Sequence, residues 1–196
     1  AHSCEERAVK FCSHCGSAEI ELKIPDGDNR ARFCCPNCNT IFYENPKIVT
    51  GCVVTHEDKV LLCKRAIEPR LGSWTLPAGF MENNETVQQG AARETYEEAT
   101  ATVTDLSLFA VYNLTHISQV YMIFRAELDQ PEASPGVESL ATEFVLEQDI
   151  PWDDLAFQVI DETLKLFFAD RKAGEYNVHH GEITRLADRT LRTTRF

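Results

Sequence analysis

Long hydrophobic runs are missing from this sequence, which nowhere contains the roughly 18 consecutive apolar residues that a membrane-spanning helix needs. The first residues, AHSCEERAVKF, also lack the apolar core of a secretion signal. These absences disfavour an integral membrane protein and an exported protein. We therefore expect a cytoplasmic protein with no membrane partner.

Cationic residues are scarce, because 19 Lys and Arg face 31 Asp and Glu, which gives a formal net charge of −12. Proteins that track along nucleic acid rely on clustered Lys and Arg. We therefore expect no nucleic-acid partner. An anionic small molecule would be repelled as well, unless bound metal ions reversed the sign of the local field.

The length of 196 residues accommodates one full-sized domain and one small one. With 43% hydrophobic and 26% charged residues, the chain has the composition of a globular protein. We expect a small domain at residues 1–45, a larger domain at 46–172, and a C-terminal extension of unknown role at 173–196.

Cysteines are concentrated near the start of the chain. Four of them have the spacing of two knuckles that close on one tetrahedral zinc ion: Cys12, Cys15, Cys35 and Cys38. Two disulfides or a redox CxxC motif are the alternatives, and the lack of an export signal disfavours disulfides. Cys34 and His14 are spare ligand candidates beside this set.

Four thiolates would leave zinc no open coordination position, so the metal would be structural. It would supply folding energy to a segment too small to build a core alone. The two later cysteines, Cys52 and Cys63, lie in apolar runs that are typical of buried structural cysteine.

Alternating and apolar runs after residue 46 predict a sheet with helices. KIVTGCVVT and KVLLCKRA flank HED and predict a β-hairpin, and SWTLPAGF predicts one short strand. A helix is expected from about Thr86 to Thr100. Further strands are expected in LSLFAVYNL, SQVYMIFRAEL and EFVLE, and an amphipathic helix in DLAFQVIDETLKLFFADRK, after which the pattern is ambiguous.

Three glutamates, Glu94, Glu97 and Glu98, share one face of the first helix, because residues three and four apart are neighbours on a helix. Each like-charged pair costs an isolated helix about 0.2–0.5 kcal/mol, unless a cation or an arginine lies between the carboxylates. Most charge runs form solvated surfaces. A solvated face and a cation site are therefore both open at this point.

A fixed set of spacings resembles the Nudix box, the signature of hydrolases that cleave nucleoside diphosphates linked to another moiety: Gly79, Glu85, Arg93, Glu94, Glu97 and Glu98. The cysteine segment followed by ENPKIV resembles the N-terminal module of zinc-ribbon members, so the resemblance covers roughly residues 11–170. It implies an α+β fold, namely a Nudix α/β/α sandwich with a mixed sheet, preceded by a small zinc ribbon. It also favours the cation site over the solvated face.

The resemblance implies roles residue by residue. The ligands of catalytic Mg²⁺ or Mn²⁺, which prefer oxygen, would be Glu94, Glu97, Glu98 and the backbone carbonyl of Ala78. Arg93 would orient Glu94 by a charge-assisted hydrogen bond and pair with Glu85. A further carboxylate, either a ligand or a general base, is expected from Glu138 in preference to Glu143.

Three positions depart from the family pattern, which usually has an apolar residue, a glycine and a bulky aliphatic residue where this chain has Thr95, Thr100 and Ala101. Helices often end with a residue at positive φ, which a β-branched threonine tolerates poorly. We therefore expect a modified turn after the helix.

The resemblance identifies the type of bond that is cleaved more closely than it identifies the substrate. IPDG, NPKIV, VLLCKR and DIPWDDLAF resemble the plant and bacterial zinc-ribbon branch that is associated with FAD and ADP-ribose hydrolysis, with release of AMP. One alternative is an NADH or NAD pyrophosphatase, although the proline–tryptophan run expected after Ser118 and Gln119 is missing. The other is a noncatalytic nucleotide sensor.

Four residues are candidates for substrate binding. Trp74, Phe80 and Tyr112 could stack on a base or belong to the core, and Arg65 could contact phosphate or lie on the hairpin surface. Similar proteins are commonly dimeric through the zinc module, so we also expect a homodimer.

Overall fold

The computed structural model describes residues 9–130 and 132–196. The chain forms two compact units, Ala1–Asn45 and Pro46–Phe196. The C-terminal segment that we expected to be a separate extension lies within the second unit, where it forms part of the sheet.

The first unit is built on a three-stranded antiparallel sheet. Its strands are β1 (Glu21–Lys23), β2 (Arg32–Cys34) and β3 (Ile41–Phe42), in that spatial order. The strands are short and partly exposed, so they enclose little apolar volume. This is consistent with a unit that depends on a metal for its stability.

The second unit contains a mixed nine-stranded sheet. Its strands are β4 (Lys47–His56), β5 (Lys59–Arg65), β6 (Trp74–Thr75), β7 (Ala78–Phe80), β8 (Val103–Leu114), β9 (Gln119–Leu128), β10 (Ser139–Val145), β11 (His179–Arg185) and β12 (Leu191–Arg195). The order is β10-β5-β4-β9-β8-β11-β12, with β6 paired to β5 and β7 paired to β4. The β4–β9 and β8–β11 pairs are parallel and the others are antiparallel.

The sheet has a hydrophobic core on each face, because successive residues of a strand point to opposite faces. On β4, Val49 and Val53 belong to one core, whereas Cys52 and Val54 belong to the other. The first core also receives side chains from helix α2 (Gln158–Ala173), and the second from helix α1 (Val87–Ala99). One helix on each face makes the α/β/α sandwich that we predicted, so the fold class is confirmed.

Helix α1 lies close to the sheet because its inner face is small. A Cβ atom at Gly90 would be 2.8 Å from the side chain of Thr50, and Ala91 and Ala99 are fully buried. The Thr50 hydroxyl donates a hydrogen bond to the Val87 carbonyl (2.9 Å). This close contact fixes the carboxylate-bearing face of α1 relative to β4 and β7.

Two predictions about strands need correction. The segment SWTLPAGF forms two short strands, β6 and β7, which pair with different partners because the chain changes direction at Leu76 and Pro77. The predicted hairpin of β4 and β5 is paired only at its tip, because farther along the same edge β4 pairs with β7, while β9 pairs with its other edge. None of the helices in the described residues has both the length and the apolarity to cross a membrane.

Candidate active site and zinc site

Four cysteine sulfurs converge in the first unit. The Sγ atoms of Cys12, Cys15, Cys35 and Cys38 all lie within 4.8 Å of one another. The closest pairs, Cys12–Cys38 and Cys15–Cys35, are each separated by 3.6 Å. Zinc–sulfur bonds of about 2.3 Å in a tetrahedron place sulfurs about 3.8 Å apart, whereas a disulfide has a length of about 2.0 Å. The spacing therefore fits zinc and not the disulfide alternative.

The surroundings of the cluster act differently on individual cysteines, since burial raises the pKa of Cys35 to about 11. Asn37 donates a side-chain hydrogen bond to Sγ of Cys15 (3.5 Å), which lowers the pKa of Cys15 to about 6. The spare candidate Cys34 is buried apart from the cluster, and its Sγ contacts the Arg32 carbonyl at 3.5 Å. The four predicted cysteines therefore have the geometry of a closed structural site.

In the second unit, helix α1 begins with a capping box. The Thr86 hydroxyl accepts a hydrogen bond from the Gln89 backbone amide (3.2 Å), and the Gln89 side chain accepts one from the Thr86 amide (2.8 Å). Such a box satisfies two amides that the first turn of a helix leaves free. The start of the helix, and with it the direction of its glutamates, is thus fixed locally.

Arg93 lies between the crowded carboxylates. Its guanidinium donates hydrogen bonds to Glu85 (2.9 and 3.0 Å), Glu94 (2.8 Å), Glu97 (2.9 Å) and the Phe80 carbonyl (3.1 Å). The bonds to Glu85 contribute most to raising the pKa of Arg93 and also lower the pKa of Glu85. An arginine fork therefore offsets the repulsion that the sequence implies.

Gly79 allows the strand before the helix to approach the carboxylates. A Cβ atom at this position would collide with the carboxylate of Glu94. The neighbouring residue, Ala78, donates its backbone amide to the carboxylate of Glu98 at 3.3 Å. The glycine is therefore required for close approach.

Glu98 is the most buried of the acidic residues on α1, with 5% of its surface exposed. Burial raises the pKa of Glu98 to about 8, and burial is also the main cause of the raised pKa of Glu94. A bound cation would favour the ionised form of both carboxylates. The low-dielectric setting and the oxygen donors fit Mg²⁺ or Mn²⁺.

The carboxylates of Glu94, Glu97 and Glu98 are not already arranged around a single ion position. Among residues 9–130 and 132–196, only the four cysteines bring three or more ligand atoms together closely enough to share one ion. Glu94 and Glu97 instead contact Arg93. Binding a cation would therefore involve an exchange of partners around the guanidinium.

A cavity of about 1150 Å³ lies in front of α1. One part of its lining, here called the carboxylate wall, consists of Arg93, Glu94, Glu97, Glu98 and Glu138. Ala78 and Gly79 line it as well, but Glu143 does not. The cavity thus brings together the acidic residues that the sequence analysis singled out and distinguishes Glu138 from its alternative.

The four predicted substrate contacts divide into two pairs. Arg65 and Phe80 line the cavity, and the Arg65 guanidinium lies 5.1 Å from the centre of the Phe157 ring. Trp74 and Tyr112 are absent from the lining of the cavity, because Trp74 packs against the core and Tyr112 is fully buried in it. This placement argues against our expectation that Trp74 and Tyr112 contact the substrate.

A second wall of the cavity was not expected from the sequence. It is formed around the C-terminal hairpin of β11 and β12 by His116, Ile183, Arg185 and Leu191, here called the hairpin wall. The ring of His116 is 3.1 Å from the Ile183 carbonyl, and Gln158 donates a hydrogen bond to Thr193 (2.8 Å). These contacts hold the hairpin at the cavity. The available sequence signal was the spacing of Ile183 and Arg185, which are two residues apart on one strand and therefore point to the same face.

The turn after α1 also differs from expectation. Thr100 ends the helix in the left-handed conformation, with φ 52° and ψ 25°, and its amide donates to the Tyr96 carbonyl at 2.8 Å. Our prediction of a modified turn is therefore wrong, since the backbone takes the conformation that a glycine would take. A non-glycine residue is strained there by about 1–2 kcal/mol.

Comparison with known proteins gives matches to both units. The sequence model of the NUDIX domain matches residues 45–170, and that of the Nudix N-terminal zinc ribbon matches residues 10–44. A NUDIX hydrolase from Nitrosomonas europaea has a crystal structure that is 56% identical, with a TM-score of 0.86, over 90% of this chain and 99% of that one.

More distant relatives are named for their activities. The NAD-capped RNA hydrolase NudC of Photobacterium profundum is 30% identical over 166 residues, which are 82% of this chain and 60% of that protein. The chain thus spans about three-fifths of the length of that relative. An ADP-ribose pyrophosphatase from Streptococcus suis is 23% identical, with a TM-score of 0.58 over 69% of this chain and 99% of that one, and shares the fold.

The matched segment 45–170 covers more than half of the chain. It contains β4 to β10, α1 and most of α2, and with them the whole carboxylate wall. The chain therefore belongs to the Nudix hydrolase family.

Proposed function

We propose that this protein cleaves the diphosphate bond of FAD or ADP-ribose and releases AMP. The observation that carries the proposal is the cavity of about 1150 Å³ in which the carboxylate wall and the hairpin wall face the same space. Small-molecule pockets usually measure about 300–1000 Å³, so this cavity suits a ligand as large as a dinucleotide.

The carboxylate wall would hold the diphosphate. Glu94, Glu97 and Glu98 provide oxygen ligands for Mg²⁺ or Mn²⁺, with the Ala78 carbonyl as a further donor. The cation, when bound, neutralises charge on the diphosphate and lowers the pKa of the attacking water. Arg93 orients Glu94 and Glu97 through its hydrogen bonds of 2.8 and 2.9 Å. The protein thereby arranges charge before the reaction begins.

Glu138 would complete this arrangement as a further ligand or as the base that takes a proton from water. Its side chain is exposed and lines the same cavity as Glu94 and Glu98, whose pKa values are raised mainly by burial and additionally by repulsion from Glu138. Within the described part of the chain it forms no ion pair. It is therefore free to act on water or a cation.

The rest of the cavity would hold the remaining parts of the substrate. Leu114, Tyr121 and Phe157 give it apolar surface on which a base or an isoalloxazine ring can pack. Arg65 and Arg185 line it as cations in a chain of net charge −12. These two arginines would offset the repulsion of an anionic substrate.

NAD or NADH is the second candidate. It shares the adenosine diphosphate half with FAD and ADP-ribose, and the relative from Photobacterium profundum is named for NAD-capped RNA. Because that name includes an RNA, our expectation of no nucleic-acid partner stays a prediction. Hydrolysis of the diphosphate would release AMP from each of the three small molecules.

The test is AMP release, measured by chromatography, from FAD, ADP-ribose, NAD and NADH with Mg²⁺ or Mn²⁺. We expect turnover of FAD or ADP-ribose to be fastest and Glu97→Gln to lower kcat by about 10²-fold or more. Glu143→Gln, which replaces an exposed glutamate of β10 outside the cavity, is the matched control and should match wild type. Nucleotide binding without any release of AMP would favour the sensor alternative.

We also propose that the first unit binds one structural zinc ion and mediates a homodimer. Four of its apolar side chains are 61–65% exposed, namely Phe11, Leu22, Ile24 and Tyr43. Metal analysis should find one zinc per chain, lost in Cys35→Ser and kept in Cys34→Ser. Light scattering should show a dimer that Leu22→Ser weakens. A monomeric wild-type protein would refute the proposed homodimer.

A further inference from the structure

The loop of residues 132–138 crosses the C-terminal end of α1. Its backbone amides donate to the last carbonyls of the helix, from Ser134 to Ala99 (2.8 Å) and from Gly136 to Glu98 (3.0 Å). A Cβ atom at Gly136 would collide with the carbonyl oxygen of Glu97. The loop therefore lies directly on the turn of helix that carries the proposed metal ligands.

A pair of hydroxyls closes this contact. The Thr100 hydroxyl donates to the Ser134 carbonyl (2.7 Å), and the Ser134 hydroxyl lies 3.0 Å from the Thr100 hydroxyl. In the described residues, these are the hydrogen bonds that the Thr100 side chain makes. A glycine at position 100 could adopt the same backbone conformation but would make neither bond.

Glu138 lies four residues after Ser134, whose carbonyl and hydroxyl contact Thr100. Beyond it the chain is held again, because the Ala66 amide donates to the Glu138 carbonyl (2.8 Å) and β10 begins at Ser139. The Glu138 backbone is thus held by two anchors, one on the helix end and one at Ala66, directly after β5. The helix-end anchor is the one to which a side chain contributes, because the Thr100 hydroxyl adds its contacts to the two backbone hydrogen bonds.

We propose that Thr100 is a positioning residue that sets the place of the Glu138 carboxylate relative to Glu97 and Glu98. The inference rests on the proposed function, in which Glu138 acts on the reaction. Its starting observation is that Thr100 has the strained left-handed backbone conformation and is held in it by the residues around it. In addition, the two hydroxyl contacts of Thr100 link the loop that carries Glu138 to helix α1, which carries Glu97 and Glu98.

The decisive variant is Thr100→Gly. Glycine suits the left-handed conformation, so the variant should fold with a Tm at least equal to that of wild type. We expect kcat for AMP release to fall about threefold to tenfold, the range for losing one or two hydrogen bonds, with KM unchanged. Thr100→Ser keeps the hydroxyl and should recover most of this kcat. Thr102→Ala, at an exposed threonine outside the cavity, is the control.

Two further readouts separate positioning from a purely structural role. Hydrogen exchange of residues 132–138 should be faster in Thr100→Gly and Ser134→Ala than in wild type and Thr100→Ser, without any substrate present. In a Glu138→Gln background, Thr100→Gly should cause no further loss of kcat, because the group that it positions is gone.

The proposal would be overturned by equal losses of kcat from Thr100→Gly with and without Glu138. Wild-type kcat in Thr100→Gly, or failure of Thr100→Ser to recover activity, would overturn it too. Wild-type kcat in Glu138→Gln would remove the role of Glu138 and with it this inference. The pyrophosphatase function itself would survive that last result, because it is judged by Glu97→Gln.

Discussion

The two walls of the cavity differ in how the chain makes them. The carboxylate wall comes mainly from helix α1, with Glu138 added from the loop before β10, and it lies within the segment that matches the NUDIX domain. The hairpin wall comes mainly from residues beyond position 170, outside that match. The parallel pairing of β11 with β8, in register at His179 and Ala110, carries it to the cavity.

From this difference we infer different functions for the two walls. The carboxylate wall holds groups whose chemistry suits the bond that every substrate of this kind shares. The hairpin wall combines apolar Ile183 and Leu191 with the cation Arg185, which suits recognition of the remaining substrate. Changes to the first wall should therefore lower kcat, and changes to the second should raise KM.

The largest effect is expected at Arg93. Arg93→Gln removes the hydrogen bonds that hold Glu85, Glu94 and Glu97, so the proposed metal ligands Glu94 and Glu97 lose their common partner. We expect kcat for AMP release to fall by about 10²-fold, the scale of a misplaced catalytic group. Steady-state kinetics at saturating Mg²⁺ measures this loss.

Arg93→Lys is the matched control for charge. Lysine keeps the positive charge but lacks the planar fork that bonds several oxygens at once, so it should recover little activity. Wild-type kcat in Arg93→Lys would show that the charge alone matters and would refute the positioning role.

A second effect concerns stability, at Glu98. Because the folded pKa is about 8 and the unfolded pKa is about 4.3, the folded carboxyl stays protonated where the unfolded one has ionised. The unfolded state then binds fewer protons, so the free energy of unfolding falls as pH rises from about 4.3 to about 8. The loss is complete above the folded pKa.

Glu98→Gln removes the ionisable group that makes the free energy of unfolding fall as pH rises. Without added divalent cation, the variant should become more stable than wild type by a few kcal/mol as pH rises from 5 to 9, while its kcat with Mg²⁺ falls. Urea unfolding at several pH values measures the difference between the two proteins. A difference that stays constant across this range would mean that burial of Glu98 does not destabilise the metal-free protein.

Sequence alone predicted the helical part of the carboxylate wall because its information is local, whereas Glu138 was expected only from the family resemblance. The helix period places Glu94, Glu97 and Glu98 on one face, and Arg93 is the cation that such crowding requires. The two cores were also predictable in outline from alternation along the strands. The spacing of the cysteines likewise predicted which four sulfurs would converge.

The remaining features depend on tertiary pairing. Trp74 and Tyr112 are aromatic residues on strands, and only the sheet order decides that they face the core rather than the cavity. The left-handed Thr100 depends on a loop more than 30 positions away, which supplies the contacts with Ser134. The tail gave no clear pattern because β12 is a short edge strand with mostly exposed side chains.

The smallest of the expected effects tests the hairpin wall directly, at Arg185. This arginine lines the cavity and has no ion pair within residues 9–130 and 132–196. Arg185→Gln should raise KM about tenfold and leave kcat unchanged, because a hydrogen bond from a cation to an anionic substrate is lost equally from ground and transition states.

Arg189→Gln is its matched control, since Arg189 lies in the turn of the same hairpin and does not line the cavity. Its KM should equal that of wild type, provided that the position of the charge and not the net charge decides binding. Equal KM values for both variants and wild type would remove the hairpin wall from substrate recognition. A fall in kcat with KM unchanged would instead place Arg185 with the carboxylate wall and end the division of roles between the two.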